Sequence, residues 1–124
     1  MSSVFTKIIR GEIPCYKIYE DEKTMAFLDI QPETVGHTLV VPKVEVDKFY
    51  ELADEDYRAL MATVKKVAQR MEAVLGERTL VKIIGVDVPH AHVHLMPFDP
   101  EWRQGRVVEM SEEEMEGVRE RLAF

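Results

Sequence analysis

His90-Ala-His92-Val-His94-Leu-Met-Pro97 is the stretch on which the fold turns. Histidine alternates there with apolar residues, and successive side chains of a strand leave opposite faces. The pattern predicts a strand over 90–97, with His90, His92 and His94 on one face and Ala91, Val93 and Leu95 on the other. The fourth histidine of the chain, His37, follows Gly36 and opens a second expected strand, His37 to Val41, that Pro42 ends.

Working outward, Thr79 to Ile84 reads as a strand joined to the histidine strand by the short link Gly85-Val-Asp-Val-Pro89. Lys17 to Glu20 and Thr24 to Asp29 flank the acidic turn Glu20-Asp-Glu-Lys23 and form an expected antiparallel hairpin. About five strands result. From Asp54, apolar residues recur at helical spacing through Tyr57, Leu60, Met61, Val64, Val67, Ala68, Met71, Val74 and Leu75, and Gly76 ends the helix. Ser3 caps a short helix that Gly11 stops and Pro14 keeps from resuming. Ser111-Glu-Glu-Glu114 is a capping box, with Met110 and Met115 as its hydrophobic staple, so a last helix starts at Ser111. The expected fold is a single α+β domain over 1–124: one antiparallel sheet, one long helix and two shorter helices.

The 124 residues suffice for one core. Hydrophobic residues at 46% and charged residues at 31% fit a globular protein, and no apolar run is long enough to span a bilayer. Met1-Ser-Ser-Val-Phe has neither the basic head nor the apolar stretch of a signal peptide, so the cytoplasm is the expected compartment. A formal net charge of −7 argues against an electrostatic grip on nucleic acid or on an anionic membrane. The single cysteine, Cys15, forms no internal disulfide and is expected as a buried structural thiol. Trp102 is expected to pack either on the domain's own core or at a partner interface.

Three histidines on one face suit nucleophilic catalysis, which needs an attacking imidazole, neighbours that hold its tautomer and a donor for the leaving group. A neutral imidazole also approaches an anionic phosphorus without like-charge repulsion. One metal held by all three is disfavoured, because the outer Cα atoms lie about 13 Å apart at about 3.3 Å per residue. A metal held by His37 with two of the three remains an alternative reading. No phosphate-binding loop motif and no serine or cysteine adjoins the row.

His90-Ala-His92-Val-His94-Leu-Met resembles the His-x-His-x-His signature of the histidine triad superfamily of nucleotide hydrolases and transferases. Phe5-Thr-Lys-Ile-Ile-Arg-Gly-Glu-Ile-Pro14, Phe27-Leu-Asp-Ile-Gln-Pro32 and Gly36-His-Thr-Leu-Val-Val-Pro-Lys43 are similar to that family in the same order and spacing. The resemblance implies a homodimer with one nucleotide site per subunit, His92 as nucleophile, His94 on the phosphate and leaving group, and His37 and His90 orienting His92. It places Asp29 on the ribose hydroxyls and Phe5, Ile8, Phe27, Ile30 and Leu39 around the base, with Asp87 and Val88 of the link beside the nucleotide. It implies no cofactor and points to the branch that cleaves purine nucleoside 5′-phosphoramidates to AMP and its analogues. Dinucleoside polyphosphate hydrolysis and a nucleotide-binding module with weak chemistry are the alternatives.

Two departures bear on that reading. Ser3 and Thr6 stand where many bacterial members carry the Cys-x-x-Cys of a structural zinc site, so no zinc is expected there. The chain has no asparagine, and Gly85-Val-Asp-Val-Pro89 lacks the usual side-chain donors to the phosphate. Asp87 adds an acceptor instead, which would raise the pKa of a histidine it paired with.

Overall fold

The computed structural model describes residues 2–124. Ser3 caps α1 (Val4–Ile9) by accepting from the Thr6 N–H, and the chain leaves that helix through Gly11 at a positive φ of 78°. The hairpin follows as β1 (Lys17–Glu20) and β2 (Thr24–Leu28), paired antiparallel. Asp21 makes its turn, accepting from the main-chain N–H groups of Lys23 and Thr24 and from the Thr24 hydroxyl. Next come β3 (Thr38–Pro42), a 3₁₀ turn (Phe49–Glu51) and the long α2 (Asp54–Leu75), closed by Gly76 in the left-handed conformation. β4 (Thr79–Lys82), β5 (Val93–Pro97) and α3 (Glu112–Leu122) complete the fold. Ser111 and Glu114 form the expected capping box.

The five strands make one antiparallel sheet in the order β1-β2-β3-β5-β4. Its two faces hold different clusters. Ala26, Leu28, Val40, Val93 and Leu95 face the helices, packing with Leu60, Val64, Val67 and Met71 of α2 and with Met115, Val118 and Leu122 of α3. This face holds the larger of the two clusters of buried apolar side chains. Met25, Phe27, Leu39 and Val41 turn the other way and meet Phe5 of α1. Thr24 and Thr63, both buried, share a hydroxyl hydrogen bond of 2.6 Å that ties β2 to α2.

Four strands differ in their bounds from expectation. β2 ends at Leu28 rather than Asp29. β3 runs from Thr38 to Pro42 rather than from His37 to Val41, because the His37 N–H is turned back to the Thr34 carbonyl. β4 stops at Lys82 instead of Ile84, where the chain turns into the link. β5 starts at Val93, not His90. Pro42 has no N–H to give a partner strand, and its carbonyl accepts from the His90 ring at 2.8 Å, so the β3–β5 ladder ends at Val40 and Val93. His90, at a bend where its N–H turns back to the Val88 carbonyl, and His92 therefore lie on the segment that enters β5, and only His94 sits in the strand.

Candidate active site

Register places the site. Leu39 of β3 pairs with His94 of β5, so His94 lies on the same sheet face as Phe27 and Leu39. His92 rests beside it, the two rings 5.1 Å apart at 65°, and the Phe5 ring meets His92 edge-on at 5.0 Å. All four histidines are buried: His90 fully, His37 at 1% exposure, His92 at 3% and His94 at 8%. Buried imidazoles must be satisfied or functional.

Their hydrogen bonds assign the protons. The Nδ1 of His92 lies 2.7 Å from the His90 carbonyl, which only accepts, so Nδ1 carries the proton and Nε2 the lone pair. The Nδ1 of His37 accepts from the Glu33 N–H at 3.0 Å, so its Nε2 carries the proton and donates to Nδ1 of His94 at 2.9 Å. The remaining nitrogen of His94, Nε2, must then hold a proton, and it is buried without a partner. A free lone pair on His92 and a free N–H on His94 thus stand side by side.

Burial favours the uncharged rings. It holds both His37 and His94 down at about 4, helped by the mutual repulsion of their charges in the first case and by His92 and Lys82 in the second. His90 is lowered for the same reason. Asp87, on the exposed link, acts on His94 upward, but burial outweighs it, so Asp87 does not make a histidine a stronger base. Burial raises Asp29, with the Gln31 N–H opposing, and its Oδ2 lies 3.6 Å from Nε2 of His37.

Beside the histidines lies a cavity of about 220 Å³, lined by the expected Phe5, Ile8, Phe27, Leu39, Asp29 and Ile30. Ile30 is 77% exposed and forms only its rim. Val88 packs on the same apolar cluster. Val4, Ile13, Pro14, Cys15 and Leu28 also line the cavity and were not expected there. Cys15 is half-buried rather than sealed in the core, since the chain after Pro14 runs along the cavity wall; burial pushes its thiol up. Its apolar neighbours in Phe5-Thr-Lys-Ile-Ile-Arg-Gly-Glu-Ile-Pro14 were the available signal. A wider open depression beside β1 and the C-terminus is lined by Lys17, Glu20, Lys43 and Arg119 and contains none of the histidines.

Glu33 braces the donor end. Its carboxylate accepts from Lys82 Nζ at 2.7 Å, Trp102 Nε1 at 2.9 Å and the Gly105 N–H at 3.2 Å. Burial works to raise Glu33, but these donors overcome it and hold the carboxyl at about 2. Trp102 therefore packs within its own domain, with Lys82 Nζ 5.3 Å from its ring centre.

Two groups of side chains lie where a metal ion could be considered. Asp29, His37 and His94 present ligand atoms within 4.8 Å of one another. A metal on Nε2 of His37 would displace a proton that the ring has to keep while the Glu33 N–H occupies its other nitrogen, so the donor set does not suit a cation. His37 also does not join two members of the row around a common point; it touches His94. The second arrangement is the position of the family's structural zinc. Ser3, Thr6 and His90 there are joined to Glu45 through neutral hydroxyls whose protons are already committed, not through thiolates, and the set does not fit zinc.

Residues 10–101 match the HIT domain family model. The chain belongs to the HIT family. This HIT protein is 41% identical over 100 residues to the protein hit of Bacillus subtilis, covering 76% of this chain and 69% of that protein. It is 40% identical over 102 residues to adenosine 5′-monophosphoramidase hnt1 of Schizosaccharomyces pombe, covering 78% and 74%. A Hit-like protein from Bartonella henselae superposes with a TM-score of 0.87 at 27% identity over 98% of this chain and 93% of the other. A zinc-bound histidine triad family protein from Mycobacterium smegmatis does so with 0.82 at 30% over 98% and 94%. The five-stranded α+β architecture is that of these neighbours.

Proposed function

We propose that this HIT protein is a nucleotide hydrolase that cleaves the P–N bond of purine nucleoside 5′-phosphoramidates, releasing the nucleoside monophosphate through a nucleotidyl intermediate on His92. The observation that carries this reading is the opposed pair of tautomers: a lone pair on His92 Nε2 beside an uncommitted N–H on His94 Nε2. The adenosine 5′-monophosphoramidase name of the fission-yeast relative supports the substrate class.

In this reading the base enters the apolar cavity under Phe5, Asp29 takes the ribose hydroxyls, and the phosphate lies over His92 and His94, with the main chain around Asp87 and Val88 nearby. Nε2 of His92 attacks phosphorus as the P–N bond breaks, and the departing nitrogen takes a proton from water. Water then attacks the phosphorus–His92 bond, returns a proton to solvent and frees the monophosphate. His94 acts as a hydrogen-bond donor to the phosphoryl oxygen or leaving group rather than as an acid. Releasing its Nε2 proton while Nδ1 accepts from His37 would leave an imidazolate. His37 thus orients His94, while His90 orients His92 through its main-chain carbonyl instead of its ring.

Replacing His92 by alanine should lower kcat on an adenosine phosphoramidate by at least about three orders of magnitude while AMP still binds in calorimetry. Undiminished turnover in that variant would sink the mechanism, and AMP binding by the native protein without turnover of any phosphoramidate would favour a binding module. The reading includes a cytoplasmic homodimer, formed through α2 and the outer strand β4, where Val81 and Tyr57 are exposed. Sedimentation equilibrium should give twice the chain mass. No described helix is long and apolar enough to cross a membrane.

A further inference from the structure

The carbonyl that holds the proton of His92 belongs to His90, and His90 is gripped from its far side by a chain of hydrogen bonds that ends on an exposed carboxylate. Glu45 Oε1 accepts from the Ser3 N–H at 2.7 Å and from the Thr6 hydroxyl. Having given its one proton to Glu45, Thr6 leaves the Ser3 hydroxyl to donate to Nδ1 of His90 at 2.8 Å, while Ser3 Oγ accepts from the Thr6 N–H. The opposite nitrogen of His90 donates to the Pro42 carbonyl. Every proton in the chain is accounted for, and the two N–H and O–H bonds hold the Glu45 carboxyl at about 2.

The same segment makes a second attachment. The carbonyl of Val46, next to Glu45, accepts from the Ala91 N–H at 2.7 Å, between His90 and His92. Phe5, which lies between Ser3 and Thr6, meets the rings of both His90 (5.8 Å) and His92 (5.0 Å) and lines the cavity. A shift at the start of α1 therefore reaches His92 by two routes: the His90 carbonyl and the Phe5 ring.

We propose that Glu45 is a positioning residue for the nucleophile, pinning the start of α1 against His90 so that the His90 carbonyl and Phe5 fix the tautomer and orientation of His92. The proposal rests on the reading of His92 as nucleophile. Glu45 touches neither the cavity nor His92, and its exposed side chain contributes little packing, so an effect of its removal on His92 is not a cavity effect.

The test compares Glu45→Ala, Glu45→Gln and Ser3→Ala by imidazole ¹⁵N NMR on the ligand-free protein, AMP affinity, and kcat and KM on an adenosine phosphoramidate. In Glu45→Ala, His92 should populate both tautomers, kcat should fall about tenfold and AMP affinity severalfold, as expected for loss of one hydrogen-bonded constraint. Glu45→Gln, whose amide oxygen can accept the same two bonds, should stay within about threefold of native. Ser3→Ala, which removes only the last bond of the chain, should reproduce the His92 spectral change. A single Nδ1–H tautomer of His92 in both alanine variants, with only a lower melting temperature, would overturn the proposal and leave Glu45 as a tether of α1. Absence of turnover in the native protein would instead count against the hydrolase reading, and the imidazole spectra would still decide the role of Glu45.

Discussion

Acidification should unfold this protein through two histidines before its carboxylates matter. His37 and His94 are held at about 4 by burial, against an ordinary value of 6.5. At pH 5 a ring with a pKa of about 4 is about one-tenth protonated, whereas the same ring in the unfolded chain is almost fully protonated. The unfolded state therefore binds more protons throughout this window. The stability contributed by the neutral rings is fully present above about pH 6.5 and is lost as pH falls towards 4. Between pH 7.5 and 5 the loss is on the order of 2 kcal/mol for each histidine. With a urea slope of about 2 kcal/mol per molar, the midpoint should fall by about 2 M if both rings contribute fully. His90, lowered for the same reason, adds in the same direction. The assay is urea unfolding at both pH values, with histidine ring resonances titrated in parallel, and a His37→Gln variant should show a visibly smaller pH dependence. A midpoint unchanged between pH 7.5 and 5, or His37 and His94 resonances titrating near 6.5, would refute the reasoning.

Gly36 adopts a φ of +102°, and an added Cβ would sit 2.9 Å from Leu75 Cδ1 and 3.3 Å from Pro97 Cδ. Gly36→Ala should cost about 2 kcal/mol and lower Tm by about 8 °C, and the shift of the adjacent His37 should reduce turnover; a melting curve and kcat check both. Phe5→Ala should weaken AMP binding by at least about tenfold in calorimetry, because Phe5 both lines the cavity and buttresses His92. Affinity equal to native would remove the base from this cavity.

Part of the candidate site was legible because the histidines of one row recur at regular intervals. His90, His92 and His94 announced themselves by alternation, whereas Phe5, Ile8, Phe27 and Leu39, which only the family resemblance placed around the base, do line one cavity. The strand boundary was misplaced because alternation in the sequence does not show where pairing stops, and a ladder also needs a partner with an N–H to give. Pro42 has none, and its carbonyl is taken by a side chain. The direct partner of His37 was not legible. It is His94, 57 residues away, and no local pattern encodes that distance.

Glu33 and Glu45 went unread for a related reason. In sequence each is one acid among 23 acidic residues, and nothing distinguishes a carboxylate that receives two or three donors from one that faces water. Cap residues, strand alternation, the helical stripe and the histidine signature are local properties, so the sequence alone determined the elements, their faces and the family to which the chain belongs. Which nitrogen of each histidine holds a proton was decided only by the folded arrangement. That choice depends on the Glu33 N–H, the His90 carbonyl and the Ser3 hydroxyl, groups from separate segments that only tertiary packing brings within hydrogen-bond distance.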